Sequence, residues 1–291
     1  MVSIAIQNIK GGVGKSTSSI HLAAGIVRKN PNARVLLIDF DSQASLRSYY
    51  RLKLNEHQGD SFDFLVNGHP YKECVVRIIE DSELNIGFDV MLGSRRLADA
   101  DIRMSTFPRR EETLQFRFDE QKIEESYSHI IFDCPPTLNL VTYNVLTVAD
   151  YLVIPTEMDH LSMTGIQTIL ENMNIVEKYF NRSPKLLGIL PTKFDQRLSM
   201  TNEIMKVLQR SIGVKTKILQ PIRLDVKIKN CQARKKTVYQ YAPTARASED
   251  YLTFTDNVLA AIEGREIITQ PEIYKKPTIQ RKRVKTVEAD L

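Results

Sequence analysis

The chain has little that would fix it to a membrane, to a disulfide framework or to a metal cluster. Three cysteines occur in 291 residues, at Cys74, Cys134 and Cys231, and no two form a C-x-x-C pair. That spacing argues against a disulfide scaffold and against cysteine-based zinc or iron–sulfur sites, and it fits a reducing compartment. Cys134 reads as a small buried filler beside a carboxylate. No apolar run approaches the roughly 18 residues of a membrane span. The first apolar alternation begins at Val2, which predicts no secretory leader and no N-terminal DNA-binding domain ahead of it. No internal repeat is visible. With 42% hydrophobic residues the chain can fill a sizeable core, and its length suits one α/β unit.

Net charge is only +5, but it is unevenly spread. Between Lys193 and Lys236 there are twelve lysines and arginines against Asp195, Glu203 and Asp225, a surplus of nine, so the remainder carries −4. Lys275, Lys276, Arg281, Lys282, Arg283 and Lys285 form a smaller cluster near the end. Segregated positive charge suits a phosphate backbone, since each neutralised phosphate releases counterions. A solvated face with no partner is the alternative.

Strand-like and helix-like segments alternate, which predicts α/β layers around a mostly parallel sheet. Strands are expected at 2–6, 34–39, 88–92, 129–133, 151–155, 186–190 and 217–219. Helices are expected at 18–29, 162–179, 200–212 and 247–262, where apolar residues recur on one face. The charged stretch 95–122, around Phe107 and Pro108, has no legible shape. Past Gly264 the apolar stripe ends. This divides the chain into a globular unit, 1–264, and a basic tail, 265–291, extended or disordered.

The densest signal is Lys10-Gly11-Gly12-Val13-Gly14-Lys15-Ser16-Thr17, between the first strand and the first helix. Glycines let backbone N–H groups turn toward oxyanions, and the helix N-terminus adds partial positive charge. Lys15 is placed for the β- and γ-phosphates and the Ser16 hydroxyl for Mg²⁺. The common motif has glycine where this chain has Ile9, and here a lysine, Lys10, heads the loop. Lys10 is either a solvated shoulder residue or a second positive charge for phosphates, in its own site or a facing one. Asp39 and Asp41, two apart at the end of a strand, are expected to face the same side. Asp39 also reads as a turn carboxylate that caps backbone N–H groups.

This loop resembles the deviant Walker A motif of the ParA/MinD ATPases, nearest to the ParA/Soj type that partitions DNA. Three further segments carry the likeness: 34–45, with Asp39 and Asp41; 129–136, ending in Asp133 and two prolines; and 192–197, at the family's adenine-side loop. The likeness runs from Val2 to about Ile262. It implies a single-domain P-loop NTPase fold, a mostly parallel twisted sheet with helices on both faces. It implies ATP and Mg²⁺ as ligands, with residues 10–17 around the nucleotide and Lys10 crossing an ATP-bridged homodimer. By the same likeness Lys15 and Asp41 serve hydrolysis, Asp41 orienting the attacking water. Ser16 ligates the metal, Asp39 lies in its outer shell and Asp133 reaches it through water, and Gln43 and Ser45 lie in a switch loop.

The resemblance also implies non-specific binding of double-stranded DNA through Arg197 and Arg223, with Lys227, Lys229, Lys235 and Lys236 adding charge. Around Arg223 the pattern departs from the family: Asp225, Val226 and Lys227 replace its usual residues. The expected role is a cytoplasmic, nucleoid-associated switch with a ParB-type centromere-binding partner that stimulates slow hydrolysis, moving a plasmid or chromosome. A ParA-like ATPase positioning another cargo and a dethiobiotin-synthetase-like ligase are the alternatives; a small-molecule ligase needs no basic segment. A nucleotide-free DNA-binding module would leave Lys15, Ser16, Asp41 and Asp133 without a role. Residues 275–291 offer too few bulky apolar side chains for the membrane helix of MinD-type relatives, so no stable membrane anchor is expected.

Overall fold

A computed structural model of the chain describes residues 1–159, 162–211 and 216–267. Seven strands form one sheet: β1 (Val2–Ile6), β2 (Val35–Asp39), β3 (Val75–Asp81), β4 (Ile86–Met91), β5 (His129–Asp133), β6 (Tyr151–Glu157) and β7 (Lys185–Thr192). Their order is β3-β4-β2-β5-β1-β6-β7, and every neighbouring pair is parallel except β3 with β4. The central strands are short, nearly continuous apolar runs because helices cover both of their faces.

Alternation along the strands divides the core in two. Ile4, Ile6, Val35, Leu37 and Ile131 point to a layer shared with helix α1 (Lys15–Lys29) and the helix Arg246–Ile262. Ala5, Leu36, Ile38, Ile130 and Phe132 point the other way, onto the helices Thr113–Gln121, Leu140–Val148 and Ser162–Phe180. On the first face two helices meet at Gly25, where a Cβ would lie 2.2 Å from the Thr255 hydroxyl oxygen. Only glycine allows that approach.

β1, β2, β5, β6 and β7 fall where the sequence places strands, and Ile86–Met91 lies two residues ahead of the expected 88–92. The expected helices are present with shifted ends, α1 starting at Lys15 inside the glycine loop and another spanning Ser199–Ser211. Position 212, expected in that helix, is outside the described residues. The strand expected at 217–219 is a single parallel bridge between Ile189 and Ile218, with Leu219 N–H donating to Ile189. β3 was not expected. It is an antiparallel edge, with a register shift between Ile79 and Asp81 and an Arg77–Asp89 ion pair across to β4. Stretch 95–122 holds short helical turns and the helix Thr113–Gln121. At the C-terminal end Ile267 is buried, and the remaining tail, 268–291, is outside the described residues.

His21, on α1, is fully buried and ties this helix to the segment after Lys236. Its Nδ1 donates to the Thr17 carbonyl at 2.7 Å, so Nε2 is free to accept the Val238 N–H at 3.0 Å. The ring stacks on Tyr251 at 4.4 Å. Burial holds the imidazole neutral and lowers its pKa to about 4. Between pH 6.5 and about 4 the unfolded chain binds a proton here that the folded protein does not, so this residue's contribution falls as pH drops. The full loss is about 3 kcal/mol. Glu80 and Asp133, both pushed up by burial to about 7, pull the other way over the same window. The His21 contribution is therefore read as a difference: the stability gap between wild type and His21→Gln in urea should shrink, or reverse, from pH 7 to pH 4. A gap independent of pH would show that the ring is not buried neutral.

Candidate functional site

The site lies at the carboxyl ends of β1, β2 and β5, the edge where open α/β sheets bind ligands. The loop after β1 turns through Gly12 and Gly14, at φ +78° and +88°, conformations that side-chain-bearing residues rarely adopt. Gly14 caps α1, leaving the N–H groups of the first helical turn directed at the loop's open side. Around Gly11 and Gly12 nothing would meet a Cβ within 4 Å, so the cradle is open. Neighbouring strand ends pin its far side. The Thr192 hydroxyl donates to the Val13 carbonyl at 2.8 Å, and Lys193 Nζ reaches the Gly12 carbonyl at 2.8 Å and Glu157 at 2.6 Å.

The two lysines of the loop are placed differently. Lys15 is buried, and its Nζ donates to the Lys10 carbonyl at 3.0 Å. Burial lowers its pKa, while Asp133 and Asp41 counter that by favouring the ammonium. Lys10 sits at the rim, its side chain about a third exposed, and pairs with Asp159 beyond β6. Its backbone is held by Asn8, whose Oδ1 accepts the Lys10 N–H at 2.9 Å while Nδ2 donates to Pro155 at 2.7 Å.

The three carboxylates also differ. Asp133, at the end of β5, is fully buried; its Oδ1 takes a long hydrogen bond from Ser19 at 3.4 Å, and its Oδ2 has no hydrogen-bond partner. Burial and the neighbouring Asp41 raise its pKa to about 7, against the Ser16 hydroxyl and Lys15. A buried carboxylate oxygen without a donor, beside a hydroxyl and an ammonium, is an environment that a hard cation would complete. Among the described residues no group of three or more His, Cys, Asp or Glu is arranged to hold a metal alone. A cation here would share its shell with phosphate oxygens and water, as Mg²⁺ does in phosphoryl-transfer sites.

Asp39 does not stand with Asp133 in this respect. Its Oδ1 accepts the Asp41 N–H and its Oδ2 the Leu46 N–H, both at 3.0 Å. Asp39 thus braces the loop 40–46, which leads into helix α2 (Ser45–Tyr50), as the capping reading of this carboxylate expects. Burial and the Asp133 charge push its pKa well up. Gly93 packs against this brace so tightly that a Cβ would come 2.7 Å from the Asp39 carboxyl carbon. β2 ends at Asp39, so Asp41 belongs to the loop and not to the strand face. Its carboxylate is nearly buried and accepts the Gln43 N–H at 2.9 Å. Asp41 is close enough to Lys15 and Asp133 to act on both electrostatically.

The basic segment is divided as well. Lys227 and Lys229 are exposed on the helix Val226–Ala233, which Asp225 caps through the Lys227 N–H at 2.9 Å. Lys235 and Lys236 follow it, also exposed. Arg197 is exposed but closed on Asp195 by two hydrogen bonds of 2.8 and 2.6 Å, which hold that carboxyl down at about 2. Arg223, expected on DNA, is turned inward. Its guanidinium meets the fully buried Asp250 at 2.6–3.0 Å and Glu249 at 2.8 Å, and its N–H also goes to Asp250. The guanidinium is thus paired within the chain while its side chain stays 31% exposed.

Sequence reading missed Asn8, Asp159, Ser19 and Gly93. Asn8 sits just before the loop in the sequence, a visible hint; the others act across more distant stretches of chain and leave no local pattern.

A family described as an AAA domain matches residues 1–186. The chain is 30% identical over 257 residues to the sporulation initiation inhibitor protein Soj of Bacillus subtilis, covering 88% of this chain and 98% of Soj. It is 28% identical over 249 residues to the chromosome partitioning protein ParA of Myxococcus xanthus, covering 86% and 84%. Among solved structures, cobyrinic acid a,c-diamide synthase of Mycobacterium smegmatis, with bound ADP and magnesium, aligns with TM-score 0.77 at 24% identity, over 93% of this chain and 99% of that one. Apo McdA from Cyanothece aligns with TM-score 0.77 at 17% identity, over 89% and 99%, which shows a shared fold. With the glycine loop, the seven-stranded sheet and these relatives in agreement, the chain belongs to the ParA/MinD family of P-loop ATPases.

Proposed function

We propose that this chain is an ATP-driven dimeric switch that binds DNA without sequence preference and partitions a plasmid or chromosome with a ParB-type partner. The observation that carries the reading is the division of labour in the loop: Lys15 is buried inside its own site, while Lys10 stands at the rim. On this reading Lys15 and the loop N–H groups hold the phosphates of ATP. Ser16 and Asp133 Oδ2 would hold Mg²⁺, which supplies charge neutralisation on the phosphates. Asp41 orients the water that attacks the γ-phosphate, and its carboxylate is kept at the loop mouth by the Asp39 brace. Lys10 leaves Asp159 to reach the nucleotide of a facing subunit, which makes dimerisation depend on ATP.

Lys10→Ala should therefore bind a fluorescent ATP analogue normally yet sediment as a monomer with ATP and fail to hydrolyse it. An unaltered dimer and rate would return Lys10 to the role of a surface lysine.

The DNA-binding part rests on Lys227, Lys229, Lys235 and Lys236, exposed together in and after one short helix. Affinity for labelled duplex DNA should rise with ATP, ignore sequence and fall steeply with salt. Charge reversal at Lys227 and Lys229 together should weaken binding uniformly by at least about tenfold and flatten the salt slope by roughly two. A wild-type protein that ignored DNA at low salt with ATP, with ADP and without nucleotide would overturn the partition reading. The tail 265–291, with its own cationic cluster, is proposed as a second source of the same attraction. No helix among the described residues is long and apolar enough to cross a membrane. The expected place of action remains the cytoplasm, on the nucleoid.

A further inference from the structure

Helix α2 leaves the loop 40–46 at one end and meets the basic segment at the other. Its first residue, Ser45, follows closely on Asp41 and Gln43, and its last is Tyr50. At that far end the Tyr49 hydroxyl donates to the Lys236 carbonyl at 2.8 Å and lies 3.6 Å from Cys231 Sγ. Tyr49 is buried, and burial keeps its phenol protonated. Just past the helix, Arg51 Nη2 donates at 3.4 Å to the carbonyl of Ala233, the last residue of the helix Val226–Ala233. Both caps of α2 are side-chain-bearing residues in the left-handed region, Ala44 at φ +49° and Arg51 at φ +51°. Such conformations persist only where the surroundings impose them, and they concentrate in segments that switch.

The contact also joins two charged stretches. Residues 51–56 and 225–236 together hold seven lysines and arginines against two carboxylates, Glu56 and Asp225. All seven cations are exposed, and none of these nine groups forms an ion pair among the described residues. Counted the same way for both signs, the joined stretches carry a surplus of five, which suits a phosphate backbone. We propose that α2 links the nucleotide site to the DNA-binding surface, with Arg51 and Lys53 as two further contacts to duplex DNA and the Tyr49 hydroxyl as the positioning group that passes a shift of the loop 40–46 to residues 234–236. On the DNA-binding reading above, on which this rests, Lys235 and Lys236 are held in place by a helix that begins beside Asp41. A phosphate that moves the loop therefore moves α2, and with it the turn that carries these lysines. Linkage makes the route run both ways, so DNA on the surface also favours the loop position that ATP selects.

The test uses the full-length protein, a fluorescent DNA duplex and a slowly hydrolysed ATP analogue. Tyr49→Phe keeps the ring and removes the hydrogen bond to Lys236. The ratio of DNA affinity with the analogue to that with ADP should fall by at least about fivefold. Analogue affinity, and the dimer that sedimentation detects with the analogue, should stay as in wild type. A hydroxyl with a merely structural role would lower the melting temperature and leave the ratio alone, and that result overturns the link. Hydrogen exchange reads the same link without DNA: the analogue should change exchange at the amides of 234–237 in wild type and not in Tyr49→Phe. Arg51→Glu combined with Lys53→Glu should weaken DNA binding at least about tenfold for any sequence and lower the salt slope by about two. Undiminished DNA binding by that variant, or a loss seen only with phosphatidylglycerol vesicles, would remove both residues from the surface. If wild type ignores DNA and Tyr49→Phe still abolishes the exchange response, the partition reading and the two contacts fall while the link holds. If wild type binds DNA with the analogue and Tyr49→Phe matches it in ratio and exchange, the link falls and the partition reading holds.

Discussion

Lys15→Ala is expected to raise the Kd for ATP by about 10²–10³-fold, a loss of roughly 3–4 kcal/mol. This lysine is buried, which lowers its pKa, and Asp133 and Asp41 are the charges that favour its ammonium form. Removing it takes away the cation meant for the phosphates and also leaves two carboxylates facing an anionic ligand without compensation. Asp41→Ala should separate the two functions. It removes one of those negative charges, so ATP affinity holds or improves, while turnover falls by about 10²–10⁴-fold with the loss of a positioned acceptor for water. Isothermal titration and phosphate release on the same preparations decide the matter. Hydrolysis by Asp41→Ala at the wild-type rate would remove Asp41 from the mechanism; tight binding by Lys15→Ala would remove the loop from the nucleotide site.

The second large effect concerns folding. Arg223→Ala should destabilise the protein by about 2–3 kcal/mol, lowering Tm by roughly 4–10 °C. Breaking a buried ion pair from one side commonly costs more, but Arg223 is 31% exposed and solvent screens part of the loss. Asp250 would remain fully buried with only the backbone N–H of residue 223 to satisfy it. Arg223→Lys should recover part of the charge and little of the two-pronged geometry. A thermal melt that Arg223→Ala leaves unchanged, with DNA binding reduced, would restore the surface role that the family pattern suggests for this position.

The pairing of Arg223 with Asp250 shows where sequence reading stops. The order of strands was legible because a parallel sheet covered on both faces demands short apolar runs, and residues 2–6, 35–39 and 129–133 are such runs. The glycine loop was legible because its conformations restrict which residues can occupy it. β3 escaped because Val75–Asp81 alternates poorly: Arg77 and Ile79 are both exposed and Glu80 is buried, as suits an irregular edge. The partners of Asp39 and Arg223 escaped for another reason. A carboxylate at the end of a strand and an arginine in a basic segment bond to groups seven and twenty-seven residues away, and spacing does not record a hydrogen bond.

The edge made by β3 has a consequence for how copies of this protein meet. An unpaired parallel edge strand is a template on which an identical chain can add its own, and such additions propagate into fibres that do not come apart. Here the outermost strand runs against the grain of the sheet, and its register slips between Ile79 and Asp81. Arg77 and Asp81 add charge, and the Gln240 amide caps the Ile79 and Glu80 carbonyls at 3.2 and 2.8 Å. Addition of a second copy's strand at this edge is thereby discouraged.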